Sequence, residues 1–410
     1  MADLSAPKSR RAVAWRRVST IATISAASAL AAIVAFIVSI LSARVLGPTG
    51  RGEVATVLQC AYLAAPLVGF GADRLLLRRD SKGHGFIPST WAMLLVAALV
   101  AAVVALVYGP WQAMAAAVAL VTVSFAFARA TAISQGTIGF FVYLFAAFQG
   151  SVLIISAGLW LANVTDWRWW AAAYLFPALP LALWALSHTR RTTGVPAAGI
   201  ATVARHNAPF MFSSLGALAT TRLDRVLLPV LASPAALGLY IVVATATEPL
   251  YWVAQSIADQ RTSDASRATA ASKSVWVRLG VVAAIYAALG GIGGWLLYLL
   301  IVPIFGPDFA PAQQLVAPLA LAAVALGCYR YLCGEILGGT RPRLLGRVEA
   351  IAAVIAVVCY PVGIIWGAAL GAAWASVVVY LAAGLVAVVA LRRAEKTPPV
   401  STQLAVTGQH

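Results

Sequence analysis

TRLDRVLLPVLASPAALGLYIVVATATEP, residues Thr221–Pro249, is the stretch whose reading decides the fold. It is a helical hairpin in otherwise apolar sequence, yet Arg222, Asp224, Arg225 and Glu248 stand where hydrocarbon should surround it. An ionisable side chain near the bilayer centre costs roughly 2.5–3.5 kcal/mol on insertion scales. Groups of this kind are expected to line a polar interior and not to face lipid. The question of function becomes what that interior carries.

The rest of the chain supplies the apolar surroundings. It has 410 residues, 62% hydrophobic and 10% charged, with a mean hydropathy of +0.89. Soluble proteins average about 25% charged residues, so the composition is that of a polytopic membrane protein. The net charge of +16 does not point to nucleic acid, because the basic residues fall mostly between apolar spans. Cys60, Cys328, Cys333 and Cys359 lie within such spans and lack ligand spacing. They read as small packing residues, with no disulfide framework or metal site.

Apolar spans are expected at Ser19–Ala43, Glu53–Leu76, Ser89–Tyr108, Gln112–Ala130, Ile138–Leu161 and Trp167–His188. A second set lies at Asn207–Leu231, Ala235–Ile257, Val275–Val302, Ala312–Leu337, Leu345–Ile365 and Gly367–Leu391. Each is about 20 residues or more, enough for about 30 Å of hydrocarbon at 1.5 Å per residue. The expected fold is therefore an all-α integral membrane protein of twelve transmembrane helices. Residues 1–18 form a basic tail, 19–188 and 207–391 the two six-helix bundles, 189–206 a cytoplasmic linker or interfacial helix, and 392–410 a second tail. The tail, alternate loops and C-terminus are rich in Arg and Lys, whereas the opposite loops hold only Arg44, Arg51 and Arg168. Both termini are expected in the cytoplasm of a cell with this protein in its plasma membrane. Trp111, Trp160, Trp167, Trp169 and Trp170 gather at the proposed outer boundaries, where an interfacial belt belongs.

An internal repeat divides the chain. Pro48-Thr-Gly-Arg-Gly52 turns the first helix pair, and Pro234-Ala-Ala-Leu-Gly238 turns the seventh and eighth, 186 residues later. Proline presets the start of a helix, and glycine permits close backbone approach. Two parallel halves related by an axis along the membrane normal are the expected arrangement.

Within the seventh helix Arg222 and Arg225 are three apart and share a face, while Asp224 aligns with neither. Asp224 is expected to find its partner on another helix, or to take up a proton or cation. It lies roughly 10 Å below the outer boundary and Glu248 roughly 20 Å below it. Pro249 removes a helix donor beside Glu248 and leaves carbonyls near Ala244 and Thr245 for a cation or water. The functional reading is an Arg222/Arg225 surface for an anionic headgroup, with Asp224 and Glu248 coupled to Na+ or H+. The alternative is snorkelling to the interface, or structural ion pairs. Arg330, roughly 10 Å into the tenth span, is a further cavity residue. Arg44 and Arg51 at the outer mouth could draw in an anion or be solvated loop charges. Glu335 and Glu349 read as solvated salt-bridge partners of Arg341, Arg343 and Arg347. Gly363, Gly367 and Gly371, with Gly290 and Gly294, read as helix-packing positions. No enzyme motif is present: the histidines fall in loops, ends or the tail, and there is no phosphate loop or HExxH.

These residues resemble a known pattern. Ser42-Ala-Arg-Val-Leu-Gly-Pro-Thr-Gly-Arg-Gly-Glu-Val-Ala is similar to the first-to-second helix segment of polysaccharide exporters. Leu223-Asp-Arg-Val-Leu-Leu with Leu237-Gly-Leu-Tyr, Phe305-Gly-Pro-Asp-Phe and the glycine-rich Gly363–Ala375 resemble their later segments in the same order. The resemblance is to Wzx-type flippases of the multidrug/oligosaccharidyl-lipid/polysaccharide (MOP) exporter superfamily. It implies two six-helix bundles around a cavity and alternating-access transfer of a polyprenyl-diphosphate-linked oligosaccharide to the outer leaflet, with ion-gradient coupling. It also implies pathway partners, a polysaccharide polymerase and glycosyltransferases. Asp224 and Arg225 match the family's seventh-helix pair and Arg44 falls in the first-to-second helix segment, whereas Arg222, Glu248 and Arg330 have no family motif behind them. The competing reading is a cation-coupled drug antiporter of the same superfamily, which would want a more acidic interior. A membrane glycosyltransferase or polymerase would want a large outer loop or a carboxylate array, and neither is present.

Overall fold

In lipid a backbone must satisfy its own hydrogen bonds, and a helix does so within one segment. The computed structural model describes residues 10–76, 86–176, 178–194, 197–247, 250, 275–338 and 343–396, and these are nearly all helical. The first half comprises α1 (Arg10–Val68), α2 (Ala72–Leu76), α3 (Thr90–Tyr108), α4 (Met114–Gln135), α5 (Ile138–Leu161), α6 (Trp167–Ala172) and α7 (Ala178–Thr193). The second comprises α8 (Ile200–Leu231), α9 (Pro234–Thr247), α10 (Val275–Phe305), α11 (Gln313–Gly338) and α12 (Arg343–Lys396). Two-residue strands β1 (Ile87–Pro88) and β2 (Ala197–Ala198) pair in parallel and tie the stretch after α2 to the linker before α8. Arg190 adds hydrogen bonds to the Pro88 carbonyl and the Thr90 hydroxyl. Among the described residues, seven helices are long and apolar enough to cross a membrane.

Two of these helices are hairpins. A straight 59-residue helix would be about 88 Å long. α1 instead breaks at Gly47, whose φ of 64° suits glycine. Arg51 Nη2 then reaches Ser39 Oγ at 3.2 Å, although twelve residues of straight helix span about 18 Å. The expected outer loop between Ala43 and Glu53 is thus a sharp corner, with the second arm beginning at Pro48. α12 breaks in the same way at Gly367–Ala368. Beyond that break the backbones of Gly363 and Gly371 touch: a Cβ on Gly371 would lie 1.8 Å from the Gly363 carbonyl oxygen. Gly367 is the corner itself and packs against nothing, which corrects its reading as a packing glycine. Gly290 and Gly294 do pack, against Val324 and Ala320 of α11.

Other boundaries also differ from expectation. The span expected to reach Leu76 stops at Val68, because Phe70 and Gly71 adopt positive φ and turn the chain into α2. The span Trp167–His188 divides into α6 and α7, with turns at Ala173–Phe176. Trp111, Trp160 and Trp169 are exposed, as a belt requires, but Trp170 is buried and donates to the Val164 carbonyl. Its indole seals the α6 corner and does not face the interface.

Two large cores hold the chain. One gathers residues of α8–α12 from Leu228 to Ala387, with Ala43 and Ala55 of α1. The other gathers α1, α3 and α4 with Trp170 and Leu186, and receives Val226 of α8. Outside them, faces such as Leu95, Leu99, Val103 and Leu106 of α3 are exposed and apolar, which suits contact with acyl chains. The halves meet at the repeated turns. A Cβ on Gly52 would lie 1.7 Å from the Pro234 carbonyl oxygen, and one on Gly238 would lie 1.9 Å from that of Pro48. Each proline-to-glycine turn thus rests on the other's first residue, the reciprocity a two-fold axis produces.

Gly52→Ala and Gly238→Ala should each lower stability by about 1–3 kcal/mol, because backbone cannot give way as a side-chain end can. Gly158→Ala, where the added methyl meets nothing within 4 Å, should be neutral or slightly stabilising. Thermal unfolding of the purified proteins in detergent checks the contrast, and equal effects at all three positions would contradict the contact.

Candidate functional site

α8 is common to both halves, packing on α12 and on α1. Its polar side chains leave it in two directions. Arg222 extends to the second arm of α1. There its Nη1 donates to Gln59 Oε1 at 3.0 Å, and the guanidinium lies 4.9 Å from the centre of the Tyr62 ring. A ring face attracts such a cation more strongly where water is scarce.

Asp224 is 2% exposed and faces the second half. It accepts a hydrogen bond from Tyr240 of α9, whose hydroxyl lies 3.1 Å from Ser376 Oγ of α12. Tyr360 of α12 donates to the Thr220 carbonyl, one turn earlier on α8. Tyr380 lies buried in the same core as Tyr240 and Tyr360. Asp224 Oδ1 has no hydrogen-bond partner among the described residues. A buried carboxylate with an open acceptor is chemically able to take a proton or a monovalent cation.

The placements sort the expected residues. Asp224 has its partner on another helix, as its misaligned position suggested. Of Arg222 and Arg225, expected to act as one surface, Arg222 crosses to α1. Arg330 lies 5.8 Å from the Tyr329 ring centre. Arg44 stands apart, with Nε and Nη2 donating to the Ile304 and Pro303 carbonyls at 2.7 Å each. It thereby caps the C-terminal end of α10, where carbonyls lack helical donors. Glu248 and Pro249 lie outside the described residues.

Three charges are more buried than the sequence suggested. Arg51 is 5% exposed and folds inward. Starting α1's second arm at Pro48 puts Arg51, Gln59 and Tyr62 along one stripe, a pattern hidden by placing Arg51 in a loop. Glu335 is buried between Tyr331, at 2.6 Å, and Arg278, at 3.8 Å. Glu349 accepts from Ser213 Oγ, which in turn accepts from Arg74 Nη1, so this chain of bonds joins the end of the first half to α12. Neither glutamate is a solvated surface partner, because α8 and α10 cover them. No cluster of three or more His, Cys, Asp or Glu side chains suited to a metal occurs among the described residues.

Comparison with known proteins agrees with this architecture. The lipid II flippase MurJ, in an inward closed conformation, superposes with a TM-score of 0.56 at 12% identity, covering 92% of this chain and 88% of that one. The Vibrio cholerae MATE transporter VcmN in its bent form gives a TM-score of 0.46 at 11% identity, with coverages of 92% and 96%. The chain shares its fold with the lipid II flippase MurJ. A polysaccharide biosynthesis protein profile matches residues 18–259, more than half of the chain. The chain belongs to that family, the family of Wzx-type polysaccharide flippases. A search of curated protein sequences returns no significant match.

Tyr240→Phe should destabilise the protein by about 1–3 kcal/mol, since it leaves the Asp224 carboxylate without its donor. Combined with Asp224→Asn the loss should be smaller than the sum, as expected of groups in contact. Thermal unfolding of the two single variants and the double variant measures the coupling, and strict additivity would contradict it.

Proposed function

We propose that this protein moves a polyprenyl-diphosphate-linked oligosaccharide from the inner to the outer leaflet of the plasma membrane by alternating access, driven by an ion gradient. The observation that carries the reading is the path of α8. In an otherwise apolar protein it extends Arg222 to one half and Asp224 to the other. A diphosphate leaving water needs fixed cationic donors while its prenyl tail stays in lipid, and the guanidinium fork suits phosphate. Arg222 and Arg225 are the headgroup residues in this reading, with Arg330 deeper in the second half. Arg44, engaged on α10, holds the frame around them. Asp224, set among Tyr240, Tyr360 and Tyr380, is the coupling carboxylate for Na+ or H+, with Glu248 as its companion from the sequence. The two hairpins and the reciprocal turns support a twelve-helix arrangement of two six-helix bundles. Basic residues at the β1/β2 end support both termini in the cytoplasm and the Pro48/Pro234 corners outside. Membership of the polysaccharide family and the likeness to a lipid II flippase fit the same substrate class. A glycosyltransferase and a polymerase of one pathway are the partners such a substrate implies.

The tyrosine-ringed Asp224 also suits a cation-coupled drug antiporter, and one experiment separates the two. Purified protein in vesicles should accelerate outer-leaflet appearance of a labelled polyprenyl-diphosphate oligosaccharide under an imposed Na+ or H+ gradient. Arg222→Ala with Arg225→Ala should cut that rate by at least about tenfold, since each charged hydrogen bond contributes about 1.5–3 kcal/mol. Full activity in the double variant, or efflux of cationic dyes without lipid transfer, would contradict the proposal.

A further inference from the structure

A second polar feature lies at the Pro48/Pro234 end, away from Asp224. A cavity of about 110 Å³ is bordered by Glu53 and Thr56 of α1, Tyr108 of α3, Gln112 of the following 3-10 turn, and Pro229 and Pro234 of the α8–α9 corner. At about 30 Å³ per liquid water it has room for three or four waters, or for one small ion with part of its shell.

What faces that space offers more acceptors than donors. Thr56 Oγ1 has committed its proton to the Gly52 carbonyl at 2.9 Å, and Tyr108 Oη has committed its own to the Val226 carbonyl at 2.7 Å. Gln112 Nε2 donates one of its two hydrogens to Glu53 Oε2 at 2.7 Å and keeps the other. Pro229 and Pro234 have no N–H to offer. The hydroxyl lone pairs, the amide oxygen of Gln112 and the second carboxylate oxygen of Glu53 remain as acceptors. An acceptor-rich wall with a single carboxylate matches a hard monovalent cation, because divalent ions draw on more carboxylates or keep a large shell of water.

We propose that this cavity is a Na+ site, separate from Asp224, that clamps the junction between the two halves. Glu53 follows Gly52, whose backbone already rests on Pro234. An ion held between Glu53 and the α8–α9 corner joins both halves and favours the closed state of this end. The site lies in the stretch where Thr56 and Tyr108 each tie one helix turn to another, so its oxygens are fixed before an ion arrives.

The test is 22Na+ binding to the purified full-length protein, and it does not depend on any transport activity. Asp224→Asn serves as the background, so that binding at the tyrosine group does not contribute. That protein should bind Na+ saturably, with choline unable to compete. Adding Glu53→Gln should abolish binding, and adding Thr56→Val should weaken it by about tenfold or more. Absence of saturable Na+ binding in the Asp224→Asn protein would overturn the proposal. So would unchanged affinity in a folded Glu53→Gln variant. If Glu53→Gln does not yield a monodisperse protein, Thr56→Val decides: a weakened affinity supports the site, and an unchanged one overturns it.

Discussion

The structure depends on a contact between two backbones. Gly52 meets the carbonyl of Pro234 and Gly238 meets that of Pro48, at distances that exclude a single added methyl group. Interior packing is close to crystal density, and in lipid small residues let helices approach without a hydrophobic driving force. This contact brings the second arm of α1 against α8, so that Arg222 can reach Gln59 and Tyr62. It also seats Val226 in the first half's core and Ala43 and Ala55 in the second's.

Polar groups follow the same geometry. Charges that would be prohibitive in hydrocarbon are held where helices of the two halves supply partners. At one end Arg74, Ser213 and Glu349 form a chain from α2 through α8 to α12. At the other, Glu53 and Gln112 line the corner beside the paired prolines. Between them stand Arg222 on one side of α8 and the Asp224–Tyr240–Ser376 group on the other. The alternating access proposed above requires that bonds at the two ends be made and broken in turn, and both ends here are built from α1 or α2 against α8 and its neighbours.

Much of this is legible in the sequence. The apolar spans, the repeated Pro-x-x-x-Gly turns and the misaligned Asp224 all follow from periodicity and residue chemistry. The corners are less legible, because a helix that breaks at Gly47 and restarts at Pro48 looks like a loop flanked by helices. That misplacement hid the Arg51, Gln59 and Tyr62 stripe. Burial of Glu335 and Glu349 was not readable either, since it depends on which helices cover the end of the bundle. The reach of Arg222 to Gln59 and Tyr62 is a matter of where a long side chain finds partners, and helix spacing does not encode it. The Glu53 cavity needs three elements far apart in the chain, so no local pattern announces it.

The central claim is that α8 borders a water-accessible interior that receives an anionic headgroup beside Arg222. Gln59→Cys, in a protein whose four native cysteines (Cys60, Cys328, Cys333 and Cys359) are replaced, reports on that interior. A membrane-impermeant cationic thiol reagent should label it in vesicles, and a polyprenyl-diphosphate oligosaccharide should slow the labelling. Modification only by lipid-soluble reagents, or labelling indifferent to the substrate, would contradict the claim.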